Sequence, residues 1–333
     1  MEREGEITMY RKPLSWITVA LCLVIIISMV GCGSKSEKVT VVLDWTPNTN
    51  HTGLYVALDN GYFQDLGLDV EIIQPTTGLA EPLVASGQAQ FGVSSQEVLT
   101  FARLEGIPVV SIAAIIQHNT SGFASLKDQG ILTPKEFEGK RYGGWGSPVE
   151  SATIKALMDK VNGDFNKVNI VTTGSVDFFA STEKNADFSW IFFGWDGIAA
   201  ELRDVELNFI SVPDYDPVLD YYTPVLMTSE SMIKDKPEIV EKFMKAVTKG
   251  YLYAMDQPED SAMILLKYAP ELDQELVLAS QIWLKDKYQA DAAVWGDQKL
   301  SVWQNYMDWL FANALVESVM DVENAFTTDF LAN

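Results

Sequence analysis

Val39-Thr40-Val41-Val42-Leu43, then Asp44-Trp45-Thr46-Pro47-Asn48-Thr49-Asn50-His51, then Gly53-Leu54-Tyr55-Val56-Ala57-Leu58: the fold turns on how this stretch is read. The first five residues are short, β-branched and apolar, as in a strand buried on both faces of a parallel sheet. The last six read as an amphipathic helix. The loop between them therefore sits at the carboxyl end of a strand, where open α/β sheets bind ligands. A plain connection needs only small turn formers. This one carries an indole, side-chain amides, a histidine and a stiffening proline.

Outward from that stretch the alternation repeats. The sequence predicts strands near 39–43, 68–73, 89–93 and 107–116, with helices near 52–60, 79–86 and 94–104 between them. A second set follows, with strands near 140–143, 167–171, 188–193 and 207–210 and helices near 148–161, 176–183 and 196–203. Tyr222 to Thr228 reads as one more strand. Beyond it the pattern is helical at 237–255, 258–268, 273–288 and 298–313, with Pro237 and Pro258 suited to first turns. Such βαβ alternation implies parallel sheets covered by helices.

The expectation is an α/β chain with two lobes, a ligand cleft between them and two inter-lobe crossings. Lobe 1 comprises 38–125 plus 223–333 and lobe 2 comprises 126–222, with crossings in Gly122–Pro134 and Tyr221–Thr228. Two crossings make a hinge, which suits closure around a ligand. A separate helical domain at the C-terminus is the alternative.

Arg3, Arg11 and Lys12 precede the apolar run Leu14 to Val30, a secretory leader in form, whose translation could also begin at Met9. Met29-Val30-Gly31-Cys32 resembles a bacterial lipobox, with methionine where leucine is usual. That reading gives a signal peptide at 1–31, a lipid-bearing Cys32 as first mature residue, and a polar tether at 32–38. A single uncleaved membrane helix is the alternative. The formal net charge of −22 argues against nucleic acid and against a polybasic grip on lipid, and it fits a well-solvated surface.

Both cysteines, Cys22 and Cys32, lie in the leader region, so neither a disulfide nor thiol chemistry is expected in the mature fold. The two histidines, His51 and His118, are far apart. No H-E-x-x-H, paired C-x-x-C, EF-hand, G-x-S-x-G or P-loop pattern occurs, so no metal, cofactor or catalytic residue is expected.

Three strand-to-helix loops carry chemistry: Asp44 to His51, Tyr142 to Glu150, and Phe193 to Gly197. Each holds a tryptophan, Trp45, Trp145 and Trp195, whose flat π-face suits a planar heterocycle or, alternatively, packs the loop base. Gly144-Trp145-Gly146 begins like G-x-G-x-x-G, but Val149 stands where the third glycine would, so a dinucleotide site is excluded. Ser147-Pro148-Val149-Glu150 is a capping box. Glu150 is thus a ligand acceptor or merely a cap partner. Asp196 has the same two readings, and Asp44 is a ligand acceptor or a partner for its own loop's amides. At a fourth junction, Ser94 or Ser95 caps a helix, and Ser95, Gln96 and, near the second crossing, Tyr222 are candidates for the cleft. His118 reads as a loop or hinge residue.

These residues carry a resemblance. Leu43 to Tyr55, with Gly61-Tyr62-Phe63, Gly67-Leu68, Ala85 to Phe91, Gly92-Val93-Ser94-Ser95 and, more weakly, Gly194-Trp195-Asp196-Gly197, looks like the thiamine-pyrimidine-precursor family. That family includes bacterial substrate-binding lipoproteins of ABC importers for formylaminopyrimidine or hydroxymethylpyrimidine, and fungal enzymes that make the pyrimidine. The resemblance implies a two-lobed periplasmic-binding-protein fold of type II that stacks an aminopyrimidine on aromatic rings and reads it with carboxylates and amides. The positions it marks are Trp45, Asn48, His51 and Tyr55 on the first lobe and Gly144, Trp145, Glu150, Trp195 and Asp196 on the second.

The fungal enzymes differ in a cysteine-rich run, an active-site histidine and a lysine for pyridoxal phosphate. A non-enzymatic, lipid-anchored, extracytoplasmic monomer is therefore expected, with a small aminopyrimidine and a membrane ABC permease as partners. The alternatives are a pyrimidine-synthesising enzyme of the same fold and a sulfonate- or nitrate-type receptor. The anion readings call for bases that the three loops lack, His51 excepted.

Overall fold

The computed structural model describes residues 36–75, 80–174, 176–184 and 186–331. The leader, its lipobox and Cys32 lie outside the described residues. Among those described, ten strands form two sheets: β1 (Glu37–Val42), β2 (Leu68–Ile73), β3 (Phe91–Ser94), β4 (Val109–Ala114), β5 (Ser121–Leu126), β6 (Arg141–Gly144), β7 (Asn169–Thr172), β8 (Phe188–Phe192), β9 (Leu207–Ser211) and β10 (Val225–Ser229). The first sheet runs β2-β1-β3-β10-β4 and the second β7-β6-β8-β5-β9.

Neither sheet is wholly parallel, as the alternation alone had implied. β10 runs antiparallel to β3 and β4, and β5 runs antiparallel to β8 and β9. Each is the strand that follows a crossing, so each enters its new sheet against the direction of its neighbours. β5 also corrects the expected boundary. Ser121–Leu126 pairs within the second sheet, so the first crossing precedes Ser121 and does not lie in Gly122–Pro134. Its small residues disguised it as a loop. Gly122 is small because a Cβ there would run into the Ile210 carbonyl and the Phe209 ring.

The C-terminal helices pack onto the first sheet and form no separate domain. On the helix Pro237–Asp256, Phe243 stacks on Phe91 at 3.7 Å between centroids, and Tyr251 stacks on Trp295 at 4.3 Å. Helix contact is intimate here: a Cβ on Gly53 would enter the Tyr251 ring, and one on Gly250 would meet the Gly53 carbonyl. The helix Leu300–Ala312 reaches the second lobe, where Trp309 Nε1 donates to Asp216 Oδ2 at 3.3 Å.

The two crossings are bonded side by side. Asn119 donates from its backbone to Asp220 Oδ1 at 2.8 Å and from its side chain to the Leu219 carbonyl at 2.9 Å. His118 bridges Asp220 at 2.7 Å and Asp291 at 2.9 Å. The lobes touch again where Ser280 Oγ donates to the Gly194 carbonyl and pairs with Thr49 Oγ1. Among the described residues, no helix is long and apolar enough to cross a membrane.

Candidate functional site

The carboxyl ends of β1, β3, β6 and β8 and the loops after them enclose a cleft of about 380 Å³, a size suited to a substituted single-ring ligand. Its aromatic wall is Trp45, Trp145, Phe178, Trp190 and Phe192. Trp45 and Trp145 are 36% and 41% exposed, costly for indoles unless something covers them. Trp190 lies 5.6 Å from Trp145, with the rings tilted by 54°.

The titratable lining is entirely acidic: Asp44, Glu81, Glu97, Asp177 and Asp196, with no lysine, arginine or histidine among the described lining residues. Glu81 and Glu97 are 2% and 8% exposed, and the Oε2 of each has no hydrogen-bond partner. The indole Nε1 of Trp190 has none either. Unpaired buried polar atoms cost about 1–3 kcal/mol each, more when charged. Three of them belong to residues that line this one cleft.

Burial pushes Glu97 up to about 7, with Asp44 and Glu81 adding to the rise and its own backbone amide and Ser95 opposing it. Burial also raises Glu81, offset in part by the Ser94 hydroxyl that bonds it. Asp196 is pushed up to about 6 by burial, against backbone hydrogen bonds at Phe192 and Phe178.

Of the residues expected from sequence, Trp45, Asn48, Ser95, Gly144, Trp145 and Asp196 line the cleft. Asn48 caps the 3-10 turn Thr49–His51, accepting from Asn50 N at 2.9 Å. Ser95 caps the helix Gln96–Leu104. Gly144 brings its backbone to the lining because a side chain there would strike Glu150 and Tyr142. Asp196 is not a cap: the helix Ile198–Leu202 begins at Gly197 without a side-chain cap bond.

The others do not line it. His51 is fully buried, and its ring fixes the first loop. Nδ1 accepts from Asn48 N at 3.2 Å, so Nε2 carries the proton it donates to Asp44 Oδ1 at 2.7 Å. It positions Asp44, which does face the cleft. Tyr55 packs against Tyr268, 5.4 Å away, in the first lobe. Gln96 and Tyr222 meet each other behind the cleft. Gln96 Oε1 accepts from Tyr222 N at 3.0 Å, and the Tyr222 hydroxyl accepts from Lys299 N at 2.9 Å.

Glu150 is saturated by its own loop. It accepts from Tyr142 Oη at 2.7 Å, Trp145 N at 3.0 Å, Gly146 N at 2.7 Å and Ser147 N at 2.5 Å. It completes the capping box with Ser147 and holds Trp145 in place. Trp195 packs against the first lobe's core, beside the helix Gln274–Leu284.

Among the lining residues that escaped the sequence reading are Glu81, Glu97 and Trp190, along with Asp177, Phe178 and Phe192. Glu81 was visible as a lone acid in the apolar run Ala80-Glu81-Pro82-Leu83-Val84. Glu97 lies one residue past Gln96, a turn of about 100° on a helix. Trp190 hid within the apolar run of β8.

Two sheets, each carrying a strand returned by a crossing, with a cleft at facing strand ends, define a protein with the periplasmic-binding-protein fold. The alkanesulfonate-binding protein SsuA from Xanthomonas axonopodis pv. citri, bound to MOPS, superposes with a TM-score of 0.67 at 12% identity, covering 89% of this chain and 99% of that one. At that identity the likeness speaks to fold alone.

The model of the family described as NMT1/THI5 like matches residues 48–261, and the chain belongs to that family. It is 30% identical over 301 residues to the formylaminopyrimidine-binding protein of Halalkalibacterium halodurans, covering 88% of this chain and 90% of that protein. It is 24% identical over 270 residues to the 4-amino-5-hydroxymethyl-2-methylpyrimidine phosphate synthase THI13 of Saccharomyces cerevisiae, covering 73% and 74%.

Proposed function

We propose that this protein is an extracytoplasmic solute-binding protein that captures a thiamine pyrimidine precursor, formylaminopyrimidine or hydroxymethylpyrimidine, and hands it to an ABC permease. A lipid on Cys32 tethers it to the membrane. The ring lies among Trp45, Trp145 and Trp190, its amine donates to carboxylates, and a ring nitrogen or side-chain oxygen accepts from the Trp190 indole. The observation that carries this reading is the set of unpartnered buried atoms in the cleft, two carboxylate acceptors and one indole donor between aromatic faces. An aminopyrimidine presents the complementary donors and acceptors on a flat ring.

The similarity to the formylaminopyrimidine-binding protein supports the same ligand class. The acidic, cation-free lining speaks against a sulfonate or nitrate, which would sit unpaired among carboxylates. The fungal enzymes are set apart by an active-site histidine and a lysine for pyridoxal phosphate, and the described lining holds neither a lysine nor a histidine.

Isothermal titration with formylaminopyrimidine, hydroxymethylpyrimidine, thiamine and an alkanesulfonate tests the reading. A dissociation constant on the order of micromolar or below is expected for a pyrimidine, with quenched tryptophan fluorescence and no turnover. Binding of the sulfonate alone would sink it.

A further inference from the structure

The lone pairs of Glu81 and Glu97 point to more than a hydrogen-bonding surface. Both carboxylates belong to the first lobe, on the helices Ala80–Ala85 and Gln96–Leu104, and both reach the same cleft. The groups facing Glu97 are Asp44 from the first loop, Glu81 from the neighbouring helix, Tyr221 from the second crossing and Tyr306 from the helix Leu300–Ala312. None of these is a cation, and beyond Asp44 stands His51. The hydroxyls of Tyr221 and Tyr306 are buried and unpartnered as well. Ionised carboxylates here repel one another with no cation to balance them, only the hydrogen bonds of Ser94, Ser95 and backbone amides, a situation that a shared proton relieves.

We propose that Glu81 and Glu97 are the specificity-determining pair of the cleft, selecting a cyclic amidine and holding one proton between Glu97 and the ligand's ring nitrogen, so that capture takes up a proton from water. This inference rests on the aminopyrimidine reading above and adds the charge state and the residues that set it. The proton sits on the ring nitrogen, facing an ionised Glu97, or on Glu97, facing the ring nitrogen. The balance is the same: the complex holds one proton that ionised protein and neutral ligand lack. Burial already raises Glu97 to about 7, so uptake is partial there and complete at higher pH. Glu81, bonded to Ser94, serves as acceptor for the exocyclic amine.

The test is titration calorimetry of the full chain with 4-amino-5-hydroxymethyl-2-methylpyrimidine, in phosphate and in Tris at pH 8, with thermal melts to confirm folding. Wild type should take up about one proton, and its dissociation constant should rise about tenfold per pH unit above pH 7. Glu97→Gln should abolish both the uptake and the pH slope. Glu81→Gln should weaken binding about tenfold or more while keeping the slope. Zero uptake by wild type at pH 8, or an unchanged slope in Glu97→Gln, would overturn the proposal.

If wild type binds no aminopyrimidine, the functional reading falls, and benzamidine tests the pair alone. That amidine is a cation throughout this range and pairs only with ionised carboxylates. Its affinity should rise with pH through 7 and be lost in Glu97→Gln. Absence of benzamidine binding would then overturn the pair too.

Discussion

Glu97 shows how one side chain ties site to stability. Its folded-state carboxyl is raised from the ordinary value of 4.5 to about 7 by burial. Between those values the unfolded chain has released the proton and the folded one keeps it, so stability falls as pH rises and then levels above 7. The accumulated cost is about 3 kcal/mol. Glu97→Gln should therefore raise the melting temperature of the unliganded protein at pH 8 and leave it nearly unchanged at pH 4, as read by calorimetry. The two tryptophans Trp190 and Trp195 should separate in the same way. Trp190→Phe removes a cleft donor and should weaken pyrimidine binding by about 1–2 kcal/mol, with some loss of melting temperature because the ring also packs on Phe123 in the core. Trp195→Ala empties a contact with the first lobe's core and should lower the melting temperature while affecting binding less.

At the scale of elements, the loop from β6 to the helix Pro148–Lys160 is a clamp centred on Glu150. Its sequence announced the capping box, and the box forms. What the sequence could not disclose is that the same carboxylate also gathers Tyr142 and the amides of Trp145 and Gly146, leaving it no capacity for a ligand. Gly144→Ala places a methyl against that carboxylate and the Tyr142 ring. It should lower both the melting temperature and pyrimidine affinity, the latter through misplacement of Trp145, in paired thermal-shift and binding measurements. The helix Gln96–Leu104 is the complementary case. The cap was legible as Ser94 or Ser95; Ser95 takes it and sets the phase of the helical turn, so that Gln96 points to the returning chain at Tyr222 and Glu97 to the cleft. The right junction can thus be found and the wrong neighbour chosen within it.

Across the whole molecule, the paired crossings carry their own titratable group. Partial burial works against charge on His118, but hydrogen bonds to Asp220 and Asp291 and their field outweigh it and hold its pKa above 6.5. A histidine raised in this way contributes stability that is fully present below 6.5 and is lost as pH rises through the higher folded value. His118→Gln should therefore lower the melting temperature at pH 5.5 and converge on wild type at alkaline pH. Both carboxylates are partly exposed, so the effect should shrink in high salt.

Periodicity alone located nearly every strand and helix of both lobes, because burial on one or two faces imposes a repeat that survives in a linear text. It also located the three loops at strand ends, since turn formers, caps and out-of-place aromatics are local signals. The direction of β5 and β10 was not local. Whether a strand after a crossing runs parallel or antiparallel depends on the end of the sheet from which the chain enters, and Gly122 is small for the sake of a strand far along the chain. Facing was not local either: one step turns a side chain by about 100° on a helix or to the opposite face of a strand. Glu81, Glu97 and Trp190 came together in one cleft only when two lobes met around them, for an orphaned hydrogen bond is a property of what surrounds an atom, and those surroundings are built by packing.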